Sequence, residues 1–224
     1  MVDLKQEMKK QVRRGLSDVL KPEGFNSSSI GYFRRNCEQT VHVINVAYYS
    51  SRDAAQYNCS ENSFSIEFGI YYDFIPSLYK PVKNRSPEIT QCPLRRSLHK
   101  IMTQPEFPNR IVWCANADLS NWPSLVADAT SAIQIALPWF DHLSNIQNAY
   151  EVISKGQEDM QGTWGMGNPG APLRRFFKAY LAKQLGKSDE ASATFRKLWK
   201  QNQERSYPWD LTRFEADFSP TSVE

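Results

Sequence analysis

Residues 165–170 read Gly-Met-Gly-Asn-Pro-Gly, the G-x-G-x-x-G spacing of a phosphate-cradling loop. Such a loop works when a strand feeds a tight glycine turn, so that backbone amides and the dipole of the next helix meet a pyrophosphate. A helix does follow, over 171–185, with Pro172 suited to its first turn. The preceding stretch, 153–162, is polar and has no β-branched run, so no strand delivers the loop. Gly186-Lys187-Ser188 lacks the upstream glycine that a P-loop requires. Asp189 stands where a ribose-binding acid would, but in a turn between helices. The stretch therefore reads as a linker, and no nucleotide or other cofactor is expected. Arg174 and Arg175, close to a helix N-terminus, are left as candidates for holding an anion.

Other chemistry is sparse. Histidine occurs at 42, 99 and 142, and no two are spaced as metal ligands, so no metal site is expected. Cys37, Cys59, Cys92 and Cys114 form no C-x-x-C pair and read as core thiols rather than disulfides. A Cys/His nucleophile pair would have to assemble in space. No Gly-x-Ser-x-Gly elbow exists. Arginine pairs stand at 13–14, 34–35, 95–96 and 174–175. On a strand, neighbours point to opposite faces, so one of Arg34 and Arg35 must reach an edge, meet a carboxylate such as Glu67, or line a cleft. If the chain grips a small anion, Arg34, Arg96, His99 and Glu67 are the first candidates. Tyr48, Tyr49 and Tyr71, with Tyr72 and Tyr79, are candidate anchors for a protein interface.

The elements that would position these groups follow from periodicity. Leu4, Met8, Val12, Leu16 and Leu20 recur at i+4 within 3–20, an amphipathic helix with Asp3 placed to cap it and Gln6 at the capping-box position. Strands are predicted over 29–36 and 40–49, joined by Cys37-Glu38-Gln39 as a hairpin. The clearest strand is 63–72, where Phe64, Ile66, Phe68, Ile70 and Tyr72 alternate with Ser65, Glu67, Gly69 and Tyr71. Burying that face contributes roughly 8–15 kcal/mol gross, at about 1.5–3 kcal/mol per side chain. Residues 75–93, with four prolines, read as an irregular segment, and 94–101 and 110–117 as two short strands. A helix over 122–137 carries Leu125, Val126, Ala129, Ala132, Ile133 and Ala136 as its stripe, and Pro138 breaks the chain before one more helix ending near 154. Helices at 171–185 and from 188 form a hairpin turning at Gly186, with Ser188 as cap. Trp209, Leu211, Phe214 and Phe218 call for a tail that packs back.

Clustered strands without alternating helices predict an α+β fold: an antiparallel sheet of four or five strands covered by helices, with a C-terminal helical hairpin. The predicted division is an α+β domain over 1–155 and a helical extension over 156–224 docked on it. With 224 residues, 41% hydrophobic and 23% charged, the chain is long and apolar enough for a packed core. Twenty-seven basic against 24 acidic residues give a net charge of +3, too little to imply nucleic acid or membrane as partner. No apolar run reaches transmembrane length, and the N-terminus has no apolar signal core, so a cytoplasmic protein is expected.

Several stretches in order, LKPEGFNSSSIGYFRRN, VINVAYYSS, FSIEFGIYYD, CPLRRSL, VWCANAD and ALPWF, resemble an uncharacterised bacterial family, domain of unknown function 4304, over roughly residues 5–150. Gly24, Phe25, Phe33, Arg34, Asn45, Ser50, Phe64, Phe68, Gly69, Cys92, Leu94, Arg96 and Trp113 carry the likeness, and Ala47-Tyr48 departs from it where a polar pair is expected. The resemblance implies the α+β arrangement and no established activity. Families of this kind occur beside bacterial toxins, which implies a protein partner. The expectation is thus a non-enzymatic protein-binding module, an immunity-type partner of a toxin. The alternative is a small enzyme or anionic-ligand-binding protein using an Arg/His/Glu cleft beside the sheet.

Overall fold

The computed structural model describes residues 4–29, 31–78, 81–98, 113–155, 170–205, 207 and 209–219. The α+β arrangement predicted from the sequence is present in them. Five strands, β1 (Asn26–Ser29), β2 (Tyr32–Asn36), β3 (Thr40–Tyr48), β4 (Phe64–Tyr72) and β5 (Leu94–Ser97), pair in chain order, each antiparallel to its neighbour. Phe64, Ile66, Phe68, Ile70 and Tyr72 are buried on one face of β4, beside Phe33 of β2, Ile44 and Val46 of β3 and Leu94 of β5.

Helices cover that face. α1 (Leu4–Leu20) presents Met8, Val12, Leu16 and Leu20, each at most 1% exposed. α3 (Trp122–Ala136) adds Leu125, Ala129, Ala132, Ile133 and Ala136 to the same core. The two helices meet at Gly15, where a Cβ would lie 2.6 Å from Cγ1 of Val126. A mid-helix glycine costs about 1 kcal/mol against alanine, and here it permits the close approach. A short helix, α2 (Ser51–Gln56), starts at a capping box formed by Ser50 and Asp53.

Three local expectations are corrected. The stretch 29–36 is no single strand: it belongs to a hairpin of β1 and β2 that turns at Gly31, whose φ is +94°. A Cβ there would also lie 2.8 Å from the Val46 carbonyl oxygen on β3, so the turn needs glycine for two independent reasons. Beyond Pro138 two helices stand where one was predicted, α4 (Pro138–Ser144) and α5 (Ile146–Ser154). They part at Asn145, whose side chain accepts a hydrogen bond from the Asn148 amide and caps α5. From the segment 110–117 the described residues contribute a bridge between Trp113 and Phe64.

The second face of the sheet is packed by the proline-rich segment. A 3-10 turn at Ile89–Gln91 places Ile89 and Cys92 against Val41 and Val43. Gly69 makes room for it, since a Cβ there would meet Ile89 Cδ1 at 2.6 Å and the Cys92 Cβ and Sγ at 2.8 Å. Tyr32 and Tyr71 border this smaller core.

The C-terminal hairpin consists of α6 (Pro172–Gln184) and α7 (Ser188–Arg205). Gly186, at φ +73°, donates from its amide to Lys183, and the Lys187 amide to Ala182, a Schellman closure of α6. Ser188 is the first helical residue of α7; the Lys187 carbonyl accepts the first helical hydrogen bond, so Lys187 holds the cap position expected for Ser188. Leu211, Phe214 and Phe218 pack back through a 3-10 turn at Thr212–Phe218, and one continuous apolar cluster joins Met8 to Phe218. Asp3, His99, Tyr79, residues 110–112 and the glycine loop up to residue 169 lie outside the described residues.

Candidate functional site

Strand alternation sends Arg34 and Arg35 to opposite faces. Arg34 Nε donates to the Pro87 carbonyl oxygen at 2.9 Å on the face packed by the proline-rich segment. Arg35 lies on the helix-covered face and ion-pairs with Asp141 at 2.7 Å, its guanidinium 5.0 Å from the Phe25 ring centroid. Register separates the other candidates. Phe68 pairs with Arg96, placing Arg96 on the helix-covered face, whereas Asn45 pairs with Glu67 and Val43 with Gly69 on the opposite one. Arg34 and Glu67 thus share a face that Arg96 does not, and the three cannot close around one ligand. Arg95 is the arginine of that pair lying on the Arg34 side, across from Gly69. Glu67 accepts a hydrogen bond from Asn45 Nδ2 at 3.2 Å. Arg96 is half-buried, its Nε has no acceptor among the described residues, and burial lowers its pKa.

A buried polar cluster gathers around His42 on the helix-covered face. The ring stacks on Phe140 with centroids 4.8 Å apart. Arg35 Nε donates to His42 Nδ1 at 3.0 Å, so the neutral ring carries its proton on Nε2, which faces Ser144 Oγ at 2.5 Å. Ser144 in turn donates to the Phe140 carbonyl. This direction of donation is opposite to the one that would activate a serine, because the imidazole has no free lone pair for the hydroxyl proton. Cys37 does come near His42 in space, its sulfur 3.9 Å from Nδ1 and 3.8 Å from Nε2. Near-equal distances to both nitrogens put the sulfur in line with neither, the wrong geometry for a thiolate–imidazolium pair. Burial, followed by the charge of Arg35 and opposed by that of Asp141, pulls the His42 pKa down to about 4. The cluster fastens β2 and β3 to α4.

The anion candidates on α6 are also occupied. Arg174, 2% exposed, donates to the carbonyls of Val152, Ile153 and Lys155 and so closes the C-terminal end of α5. Arg175 donates to Gln201 of α7. Arg174 is thus committed to the protein's own carbonyls, and Arg175 is tied to α7 through Nη1. Of the interface candidates, Tyr49 is buried, with its pKa pushed up to about 12 by desolvation, and Tyr48 has a buried hydroxyl. Tyr72 is wholly buried and donates to the Leu143 carbonyl at 2.6 Å. All four cysteines are free thiols, but only Cys92 is buried and Cys114 is exposed, which corrects their reading as core residues.

Tyr71 leads to a site that no motif announced. A cleft of about 410 Å³ opens between the proline-rich segment and α6. Ile75, Pro76, Cys92, Pro93, Leu173 and Phe177 supply apolar wall, and Tyr71, Ser77, Glu88, Thr90 and Gln91 supply polar groups. Leu173 and Phe177 stand at i and i+4 on one face of α6. The Glu88 amide donates to Gln91 Oε1 at 2.8 Å, which holds the turn that forms the polar wall. Burial pushes the Cys92 thiol up, so it stays protonated. Burial, then the Asp73 charge, raises the Tyr71 phenol, so it remains a neutral donor. The size falls in the range of small-molecule sites, about 300–1,000 Å³.

Residues 16–142 match the family model described as Domain of unknown function (DUF4304). The chain belongs to that family. No curated protein and no solved structure matches it. The DUF4304 region holds the whole sheet, Gly69, and every residue of the cleft except Leu173 and Phe177. The cleft is therefore completed by the helical extension beyond the DUF4304 region. No helix among the described residues is long and apolar enough to cross a membrane.

Proposed function

We propose that this chain is a binding protein for a small, largely apolar molecule, held between the proline-rich segment and α6. One observation carries the reading: the cleft has converging apolar walls from two separate parts of the chain and a few hydrogen-bonding groups on one side. That combination is the usual character of a ligand site. Binding is favoured over catalysis, because the described walls offer a protonated thiol and a single carboxylate rather than a matched acid and base.

The anionic version of the ligand reading has less support, since Arg34 and Arg96 face opposite sides of the sheet. A protein partner, including a toxin, also has less. Among the described residues the large apolar side chains left exposed are Tyr57 and Ile135, whereas Tyr48, Tyr49, Tyr71 and Tyr72 are committed to packing or to the cleft.

Saturation-transfer NMR on the full chain tests the proposal, with indole, phenylpropanol and phenylpropylamine as ligands. Saturation transfer to at least one of them is expected, lost on Leu173→Trp, which fills the cleft from its rim. No transfer to any of the three, or transfer untouched by that substitution, ends the reading.

A further inference from the structure

The cleft is uneven in charge. Among its described lining residues Glu88 is the only one with a formal charge, and no lysine or arginine joins the wall. Glu88 is solvent-exposed, so its carboxylate stays hydrated. Two aromatic rings, Tyr71 and Phe177, line the same space. Arg34 and Arg95 act on Cys92 without lining the cleft, and Arg34 is turned to the Pro87 carbonyl. Asp73 acts on Tyr71 and is itself ion-paired to Arg85 at the near end of the segment.

We infer that the ligand is a hydrophobic organic cation, an amine or guanidine on an apolar body, with its charge beside Glu88 and its body between the proline-rich segment and α6. This rests on the ligand-binding reading above and adds the sign of the charge. A carboxylate in a cleft that aromatic rings also line attracts an ammonium group twice, through its own charge and through the negative faces of the rings. A ligand carboxylate in the same place would face Glu88 with no cation among the described lining residues to balance it. The neutral hydroxyls and amide of Tyr71, Thr90 and Gln91 can accept hydrogen bonds from the ammonium protons without opposing its charge.

Three ligands of one shape separate the possibilities: phenylpropylamine, phenylpropanol and phenylpropanoate, titrated calorimetrically into the full chain at neutral pH and low salt. The amine is expected to bind about tenfold tighter than the alcohol, the combined effect of an exposed ion pair and one cation–π contact. The propanoate is expected to bind more weakly than either. Glu88→Gln should cut the amine's advantage over the alcohol to about threefold, the part that the rings supply, and Glu88→Lys should reverse the order in favour of the propanoate. Equal affinity for amine and propanoate, or an amine preference undiminished by Glu88→Gln, overturns the inference. If the alcohol binds and Leu173→Trp blocks it while the charge preference is missing, only this inference falls. If none of the three binds, the ligand-binding reading falls with it.

Discussion

Nη2 of Arg213 lies 2.8 Å from the Leu78 carbonyl oxygen, and 3.1 Å from that of Ser77. Both residues line the cleft, so the C-terminal 3-10 turn is tied to the segment that shapes the candidate site. The same guanidinium sits 4.5 Å from the Phe214 ring centroid, which keeps it in place. Replacing Arg213 by methionine preserves the stem and removes the two hydrogen bonds. The expected loss is about 1 kcal/mol, because both bonds are open to solvent. Urea denaturation measures it, and a midpoint equal to that of the parent chain rules out this tie as a stabilising contact.

His42 makes stability depend on pH in a defined window. Its ring titrates at about 4 when folded, against 6.5 for the ordinary value. Above the ordinary value both states are neutral and the residue contributes nothing to the pH dependence. As pH falls from 6.5 to about 4 the unfolded chain takes up a proton that the native chain refuses, so stability drops, by roughly 3 kcal/mol in all. A His42→Gln chain is expected to lose some stability at neutral pH and to show a shallower decline over that window. Identical slopes in the two chains would contradict the assignment.

Gly69 should tolerate no side chain. Alanine there normally gains a few tenths to 1 kcal/mol from reduced unfolded-state freedom. The added Cβ, however, lies within 2.8 Å of atoms of both Ile89 and Cys92, which are buried and joined by a backbone hydrogen bond. Overpacking of this kind costs about 1–3 kcal/mol, so the clash wins. Because the displaced turn is also the polar wall of the cleft, Gly69→Ala is expected to weaken ligand binding as well as lower the melting temperature. A thermal melt at or above that of the parent chain would show that the turn can lift freely.

Gly15 and Val126 should be coupled. Alone, Gly15→Ala gains about 1 kcal/mol of helix propensity but drives a methyl to 2.6 Å from Val126 Cγ1, and net destabilisation is expected. In a Val126→Ala background the obstacle is gone, and the same substitution should stabilise by roughly 0.5–1 kcal/mol. A double-mutant cycle by chemical denaturation measures the change of sign; additive effects would mean the helices do not meet there.

Much of the scaffold was legible because its signals are short-range. The alternation from Phe64 to Tyr72 and the i+4 row from Met8 to Leu20 each require a particular geometry within a few residues, and both faces are buried as that spacing demands. The hairpin at Gly31 was hidden, because its need for glycine arises partly from Val46, on a strand that lies later in the chain. The break at Asn145 rests on a side-chain cap inside a stretch that is otherwise continuously helical in pattern. Arginine alternation told that Arg34 and Arg35 must part, but not that the Pro87 carbonyl and Asp141 receive them. Arg174 looked free beside a glycine loop, and it is spent on the end of a different helix.

From its residue order alone this chain dictates an antiparallel sheet with one oily face, amphipathic helices to lie on it, and a helical pair near the C-terminus, since each depends on the repeat of side chains along a local backbone. The cleft is a different kind of object. Tyr71, Glu88 and Phe177 come from a strand, a turn and a helix of the extension, and none carries a mark of its role in its own neighbourhood. Their meeting depends on Gly69 admitting the turn to the sheet and on α6 docking over it, relationships set by packing between distant segments. Spacing along a chain encodes which face a side chain takes; only the folded core decides what stands opposite.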